Sequence, residues 1–250
     1  MDNKLLTTEY YKNFWVGLMD GDGSIQVNHW RKKYLQFRLI IKLKYTVENY
    51  NMLILMKENI GGSVNVVSDD NFVIWVENVK ERIVKDYLPI FSQYPPLTSR
   101  LQCQLAFLTM CANLNDISLY FQLREKKYEN YAQYEKIIVQ NVNKNRKDYF
   151  CTWLSGFIEA EGCFSTRLAK RNRTFSIGQN TDLFLLELIK DYLKASNNKI
   201  RHINKTGKDF YLLEVGSVAT LQKVYNHCHT YPLLGFKQTQ FLKFYSDFIF

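Results

Sequence analysis

The chain has 250 residues, 46% of them hydrophobic and 15% aromatic, enough to bury one large core or two of about 120 residues each and too apolar for a disordered protein. No apolar run approaches the roughly 20 residues that a membrane span requires. Against 24 acidic side chains stand 33 Lys and Arg, a net charge of +9, which favours a polyanionic partner without specifying one.

Residues 1–13 contain Asp2 and Glu9 and no apolar run, so they resemble neither a secretory signal nor an Arg-rich transit peptide. Periodicity then predicts a helix to Gly21, strands at Ser24–Arg31 and Leu35–Lys44, and a helix over Val47–Asn59 ended by Gly61-Gly62. Strands at Ser63–Val67 and Phe72–Glu77 and helices beyond Val79 complete this part. Residues 123–147 are charged and polar, with Arg124-Glu125-Lys126-Lys127 and Asn143-Lys144-Asn145-Arg146-Lys147, and read as a partly helical, mostly solvated linker. The order then recurs: a helix Tyr149–Ala160, strands Cys163–Ala169 and Thr174–Gln179, a helix Asp182–Leu193, strands Lys199–Asn204 and Phe210–Val215, and helices from Val218. Asn197-Asn198 and Thr206-Gly207-Lys208 supply turns.

The recurrence extends to residues. Phe14-Trp15-Val16-Gly17-Leu18-Met19-Asp20-Gly21-Asp22-Gly23 matches Trp153-Leu154-Ser155-Gly156-Phe157-Ile158-Glu159-Ala160-Glu161-Gly162 with Gly17 laid on Gly156, and Tyr94-Pro95-Pro96-Leu97 with Arg100 matches Tyr231-Pro232-Leu233-Leu234 with Lys237. The chain therefore divides into halves at 1–122 and 148–250 around the 123–147 linker. Gly17 with Gly21, and Gly156 with Ala160, place small residues on one helix face, which lets two helix backbones approach closely and makes these helices the interface between halves. Just past the helix ends, Asp22 and Glu161 would lie side by side. Two carboxylates at the negative ends of two helix dipoles repel, and a divalent cation offsets both costs. Hard oxygen ligands suit Mg²⁺, and carboxylate-held metal near a phosphodiester is nuclease chemistry. Asp20 and Glu159, two residues earlier, read as structural acids. The odd, scattered set Cys103, Cys111, Cys151, Cys163 and Cys228 fits a reducing compartment, and the run His227-Cys228-His229 is too cramped for one metal ion.

Trp15-Val16-Gly17-Leu18-Met19-Asp20-Gly21-Asp22-Gly23 and Leu154-Ser155-Gly156-Phe157-Ile158-Glu159-Ala160-Glu161-Gly162 resemble two copies of the LAGLIDADG motif of the homing endonucleases. The resemblance implies an α+β fold of two pseudo-twofold αββαββα units, with antiparallel sheets forming a DNA-binding saddle and the motif helices at their interface. It implies catalytic acids at Asp22 and Glu161, metal-binding carbonyls at Gly21 and Ala160, basic partners at Arg100 and Lys237, and a water-supporting polar residue at Gln179. The counterpart of Gln179 in the first half reads as Lys44, or Lys42 if the alignment slips by two, which would make the two centres unequal. The cofactor implied is Mg²⁺, with Mn²⁺ or Ca²⁺ accepted by the same site.

Strand alternation exposes Ser24, Gln26, Asn28 and Trp30, then Gln36, Arg38 and Lys42 in the first half. In the second it exposes Ser165, Arg167, Gln179, Lys199, Arg201 and Lys205, with Arg171 and Arg173 on a turn. Arg, Lys, Gln and Asn are the side chains that pair with base edges. The two sets differ, so a monomer reading a long, non-palindromic double-stranded target is expected. An RNA-binding maturase acting on its own intron, or a DNA-binding relative without catalysis, are the competing readings. No membrane partner is expected, and the A+T-rich codons of the abundant Lys, Asn, Ile, Tyr and Phe point to an organellar gene, in a mitochondrion or chloroplast.

Overall fold

The computed structural model describes residues 6–67, 71–144, 149–167, 172–205 and 207–246, with the side chains of 141–144, 167, 172, 205 and 208 left aside. The first half runs α1 (Thr8–Gly21), β1 (Gly23–Trp30), β2 (Tyr34–Lys44), α2 (Val47–Ile60), β3 (Ser63–Val67) and β4 (Phe72–Glu77). It continues through α3 (Lys80–Arg82), a π-helical turn at Ile83–Tyr87, α4 (Leu88–Gln93) and α5 (Ser99–Leu114). After α6 (Ile117–Leu123) and α7 (Tyr131–Lys144), the second half repeats the order: α8 (Tyr149–Glu161), β5 (Gly162–Arg167), β6 (Asn172–Asn180), α9 (Leu183–Tyr192), β7 (Arg201–Lys205), β8 (Lys208–Val215), α10 (Val218–Thr230) and α11 (Phe236–Tyr245). The fold is α+β, two αββαββα units each closed by one further helix.

Both sheets are antiparallel with the same strand order, β1-β2-β4-β3 and β5-β6-β8-β7. On β2 the residues Phe37, Leu39, Ile41 and Leu43 are buried against the helices while Gln36, Arg38, Lys42 and Lys44 are exposed, the period of two that one covered face imposes. The first core is built around Trp15, whose ring lies 5.4 Å from Trp75, 5.7 Å from Tyr87 and 5.1 Å from Phe91. Trp75 also donates its indole N–H to the Gly61 carbonyl at 2.9 Å, where the chain turns out of α2 with φ of 89° at Gly61 and 88° at Gly62, conformations only glycine adopts cheaply. In the second half Phe164 of β5 packs on Phe241 and Phe244 of α11.

The halves meet where α1 crosses α8. A Cβ built on Gly17 would run into the Trp153 carbonyl oxygen and lie 2.9 Å from Phe157 N; one built on Gly156 would run into the Phe14 carbonyl oxygen and lie 2.9 Å from Leu18 N. The two contacts are images of each other, so the pseudo-twofold axis passes between these glycines. Phe14, Trp15, Val16, Leu18 and Met19 of α1 and Trp153, Leu154, Phe157 and Ile158 of α8 are all at most 1% exposed, which makes the interface continuous with both cores.

Two sequence expectations change, and one reading, the rejection of a metal site at His227-Cys228-His229, gains a structural reason. The stretch 123–147 is more than a solvated connector, because α7 buries Ile138 and packs Tyr134 against the core. Lys199 precedes β7, whose first residue is Arg201, because Asn198 is tied by its side chain to the Glu214 carbonyl before the strand begins. His227 and Cys228 are core residues: the His227 ring lies between Tyr192 OH at 2.9 Å and Ser155 Oγ at 3.1 Å, and burial holds it neutral, its pKa pushed down to about 3.

Since backbone atoms, not flexible side chains, occupy the space beside both glycines, Gly17→Ala and Gly156→Ala should each destabilise the protein by about 3 kcal/mol and to a similar extent. Urea unfolding followed by circular dichroism checks both the size and the equality.

Candidate functional site

At the ends of the crossed helices two carboxylates emerge from one spot. A Cβ on Gly21 would meet the side chain of Ala160 and lie 3.3 Å from Glu161 Cγ, so the closing turns of α1 and α8 stay in backbone proximity up to the acids. Asp22 remains exposed and Glu161 half-buried, yet the packed helix ends leave little bulk water beside either. This burial, followed by the charge of Glu161, pushes Asp22 up to about 7 against the pull of Lys237 and then Arg100. Glu161 is also raised by burial, with Arg100 and then Lys237 pulling it down. Both bases act on both acids; Lys237 lines the same cleft as Asp22.

Asp20 and Glu159 place those bases. Buried Asp20 accepts from Leu97 N at 2.7 Å, Thr98 N at 3.1 Å, the Thr98 hydroxyl and Trp153 Nε1 at 2.7 Å. Glu159 accepts from Leu234 N at 3.2 Å, Gly235 N at 3.1 Å and Lys237 N at 2.8 Å. Each acid therefore bonds the donor-rich N-terminus of a helix in its own half, α5 or α11, and so fixes the segment bearing Arg100 or Lys237. Burial outweighs these bonds on Asp20, pushing it up to about 6. Arg100 in turn donates to the carbonyls of Asp20 at 2.7 Å, Gly23 at 2.8 Å and Met19 and Gly21 at 3.3 Å, closing the end of α1.

A second pair of acceptors braces the same helix starts. Asn49 Oδ1 accepts from Phe236 N at 3.0 Å, and Asp182 Oδ2 accepts from Ser99 N at 3.0 Å. Sequence reading missed both. Asp182 could have been found as the residue opening α9, a position where acids cap helices. Beside Asp22 a cleft of about 180 Å³ is lined by Lys44, Asn49, Ala160, Phe236 and Lys237 among others.

Among the described residues no three His, Cys, Asp or Glu side chains converge on a metal position. A cation at this site would therefore rest on the paired carboxylates Asp22 and Glu161 and complete its shell with the Gly21 and Ala160 carbonyls, water or substrate oxygen. That donor set is hard, anionic and sparing in protein ligands, as Mg²⁺ prefers.

The predicted site residues divide. Ser24, Gln26, Asn28, Trp30, Gln36, Arg38 and Lys42 share the open face of the first sheet, with Lys42 4.1 Å above the Phe72 ring. Ser165 lies on the corresponding face of the second sheet, and Arg201 lies there too, bonded at 3.3 Å to Glu214. Gln179 does not: it shares the covered face with Phe175 and Ile177, is buried, and its Oε1 accepts from Asn180 N at 3.2 Å. Arg173 likewise turns to the helix side, 5.9 Å from the Phe244 ring. The ladders explain the mismatch with Lys44. Gly23 pairs with Ile41 and Gly162 with Ile177, so Leu43 corresponds to Gln179, Lys44 to Asn180, and Lys42 to Gly178, over which the Phe210 ring lies. Arg171 falls outside the described residues, and Arg167 and Lys205 contribute only described backbone, in β5 and β7. Cys163, two residues after Glu161, is exposed; the other four cysteines are buried.

The sequence matches the LAGLIDADG endonuclease family over residues 15–111 and again over 154–247. A probable intron-encoded endonuclease aI3 of Dictyostelium citrinum is 40% identical, with 99% of each chain covered. A protein of the same description from Debaryomyces hansenii is 42% identical over 94% of this chain, which spans only 38% of that relative's length. Among solved structures, I-SmaMI bound to uncleaved DNA target in the presence of calcium ions superposes with a TM-score of 0.70 at 19% identity, covering 94% of this chain and 89% of that one.

The raised pKa of Asp22 has a consequence for stability. Between its ordinary value of 3.8 and about 7 the folded state keeps a proton that the unfolded chain releases, so stability falls as pH rises through this window and stays lower above it. Asp22→Asn mimics the protonated form. Without divalent metal, its thermal midpoint should exceed the parent's at pH 8 and the difference should shrink towards pH 4, which melts followed by differential scanning fluorimetry in a chelator measure.

Proposed function

Because the chain belongs to the LAGLIDADG endonuclease family, matched in both halves, we propose that it is a monomeric homing endonuclease that makes a staggered double-strand break in a long, non-palindromic DNA target by divalent-metal-dependent phosphodiester hydrolysis. The observation that carries this reading is the pair of carboxylates, Asp22 and Glu161, at the touching ends of α1 and α8, where Gly21 faces Ala160 and Glu161. The Dictyostelium citrinum relative, of this chain's length and described as intron-encoded, supports an organellar gene, as does the Lys- and Asn-rich composition.

In this reading Asp22 and Glu161, with the carbonyls of Gly21 and Ala160, would hold Mg²⁺. A bound Mg²⁺ supplies Lewis acidity, lowering the pKa of water and offsetting charge on the phosphate. Lys237 and Arg100 neutralise the charge that grows on the phosphodiester oxygens as water attacks. Lys44, exposed beside Asp22 in the cleft with Lys237 and Asn49, adds positive charge at one centre; Asn180, its counterpart, offers a neutral amide at the other. Gln179, buried against Asp182, takes no direct part. The open faces of the two sheets lie along the DNA major groove, where Gln26, Asn28, Gln36, Arg38 and Lys42 meet base edges. The corresponding positions in the second half, including Ser165, Arg201 and the strand-borne Arg167 and Lys205, are different in kind. A monomer with unlike halves reads unlike half-sites.

Incubation with a randomised DNA library and Mg²⁺, followed by sequencing of cut ends, should yield one long target and a fixed stagger. On that target Asp22→Asn and Glu161→Gln should each abolish double-strand cleavage while changing DNA affinity, measured in Ca²⁺, by less than about threefold, since shape is kept and metal charge lost. Mg²⁺ should raise the parent's thermal midpoint and not that of the double variant. Linearisation of a plasmid at the parental rate by either single variant, or a need for two chains per duplex, overturns the assignment. Arg38→Ala should cost about 1–3 kcal/mol and relax preference at a few adjacent base pairs, read from a panel of single-substitution targets.

A further inference from the structure

The two bases are held by braces that look alike and differ in charge. On one side Phe236 N, next to Lys237, is held by the neutral amide of Asn49, which donates its own N–H to the Lys44 carbonyl at 2.9 Å. On the other side Ser99 N, next to Arg100, is held by the carboxylate of Asp182, which is 1% exposed. An amide in such a place is satisfied by one donor and one acceptor. A buried carboxylate needs several donors, and losing one leaves a charge that the surroundings must move to satisfy.

The additional donor comes from the linker. Tyr131, in the first turn of α7, donates its hydroxyl to Asp182 Oδ1 and also meets the Thr181 hydroxyl. Thr181 sits in the left-handed region at φ 65°, a conformation that persists where neighbours enforce it. Among the described residues no linker side chain reaches Asn49. Among its described residues, the helix joining the halves thus touches the support of one base only.

We propose that Tyr131 is a positioning residue for Arg100 and that, through Asp182 and Ser99, it sets the relative rates at which the two DNA strands are cut. The inference rests on the endonuclease reading above. Tyr131→Phe removes one hydroxyl and keeps the ring. The carboxylate of Asp182 then draws on its remaining donor, Ser99 N, and the start of α5 shifts with it. Small displacements of a reacting group are costly to rate, and here they arise on the Arg100 side and leave the Lys237 brace as it was.

The test is strand-specific cleavage of the selected duplex, end-labelled on either strand, under single-turnover conditions with limiting Mg²⁺. Tyr131→Phe should slow one strand by roughly tenfold and the other by less than about twofold, with nicked duplex accumulating and DNA affinity unchanged. Arg100→Lys should slow the same strand, and Asn49→Ala the opposite one. Hydrogen exchange supplies a readout independent of cutting: in Tyr131→Phe the amides at Ser99 and Arg100 should lose protection while those at Phe236 and Lys237 keep theirs. Equal slowing of both strands, or unchanged exchange at Ser99, overturns the proposal. Failure of the parent to cut any duplex overturns the endonuclease reading, and this one with it.

Discussion

Everything in the molecule depends on two helices touching through their main chains. At Gly17 and Gly156 the partner's carbonyl occupies the place a side chain would take, so the separation of α1 and α8 is set by backbone van der Waals radii. From that contact the chain delivers Asp22 and Glu161 to one point, and from the preceding turn it delivers Asp20 and Glu159 to the starts of α5 and α11. The spacing between the acids is therefore independent of what the sheets carry. The open sheet faces of the two halves can differ in every residue while the distance between the two acids stays the same.

Symmetry governs the scaffold and stops at the chemistry. Arg100 presents a planar fork to several carbonyls at the end of α1, whereas Lys237 is a point charge, and the two cations are not equivalent in how tightly they are oriented. The braces behind them, Asp182 and Asn49, differ by a full charge. Lys42 lies over Phe72 where the other sheet has Gly178 under Phe210. A fused pair of halves is free to acquire such differences; a homodimer, in which one substitution appears twice, is not.

Much of this was legible in the sequence. The repeated glycine spacing, with apolar residues around it, implied a close helix pair, because only small residues permit that approach. The alternation along β2 implied one open face, and Arg38 and Lys42 lie on it. The reading failed where the period of two gave no phase. Gln179 lies one residue before the end of β6, beside polar Asn180 and Thr181, and only the ladder register, with Gly162 opposite Ile177, shows that its side chain falls on the covered side. Arg173 misled for a related reason: its guanidinium lies over Phe244, some seventy residues later in the chain, a partner that local pattern cannot reveal. Tyr131 carries no signature of its own, and the place of Asp182 at the start of α9 does not reveal what its side chain holds. Their roles come from long-range geometry, since Ser99 is 83 positions from Asp182 and Tyr131 is 51.

The distribution of thiols has a practical consequence. Burial pushes Cys103 and Cys111 up to about 11 and raises Cys228 as well, leaving them protonated and shielded at neutral pH. Cys163 alone is exposed, beside the paired acids and pointing from the open face of the second sheet. A maleimide dye would therefore attach at one position per chain without any engineering. Its emission would report on whatever settles into the saddle, in real time and without a cutting assay.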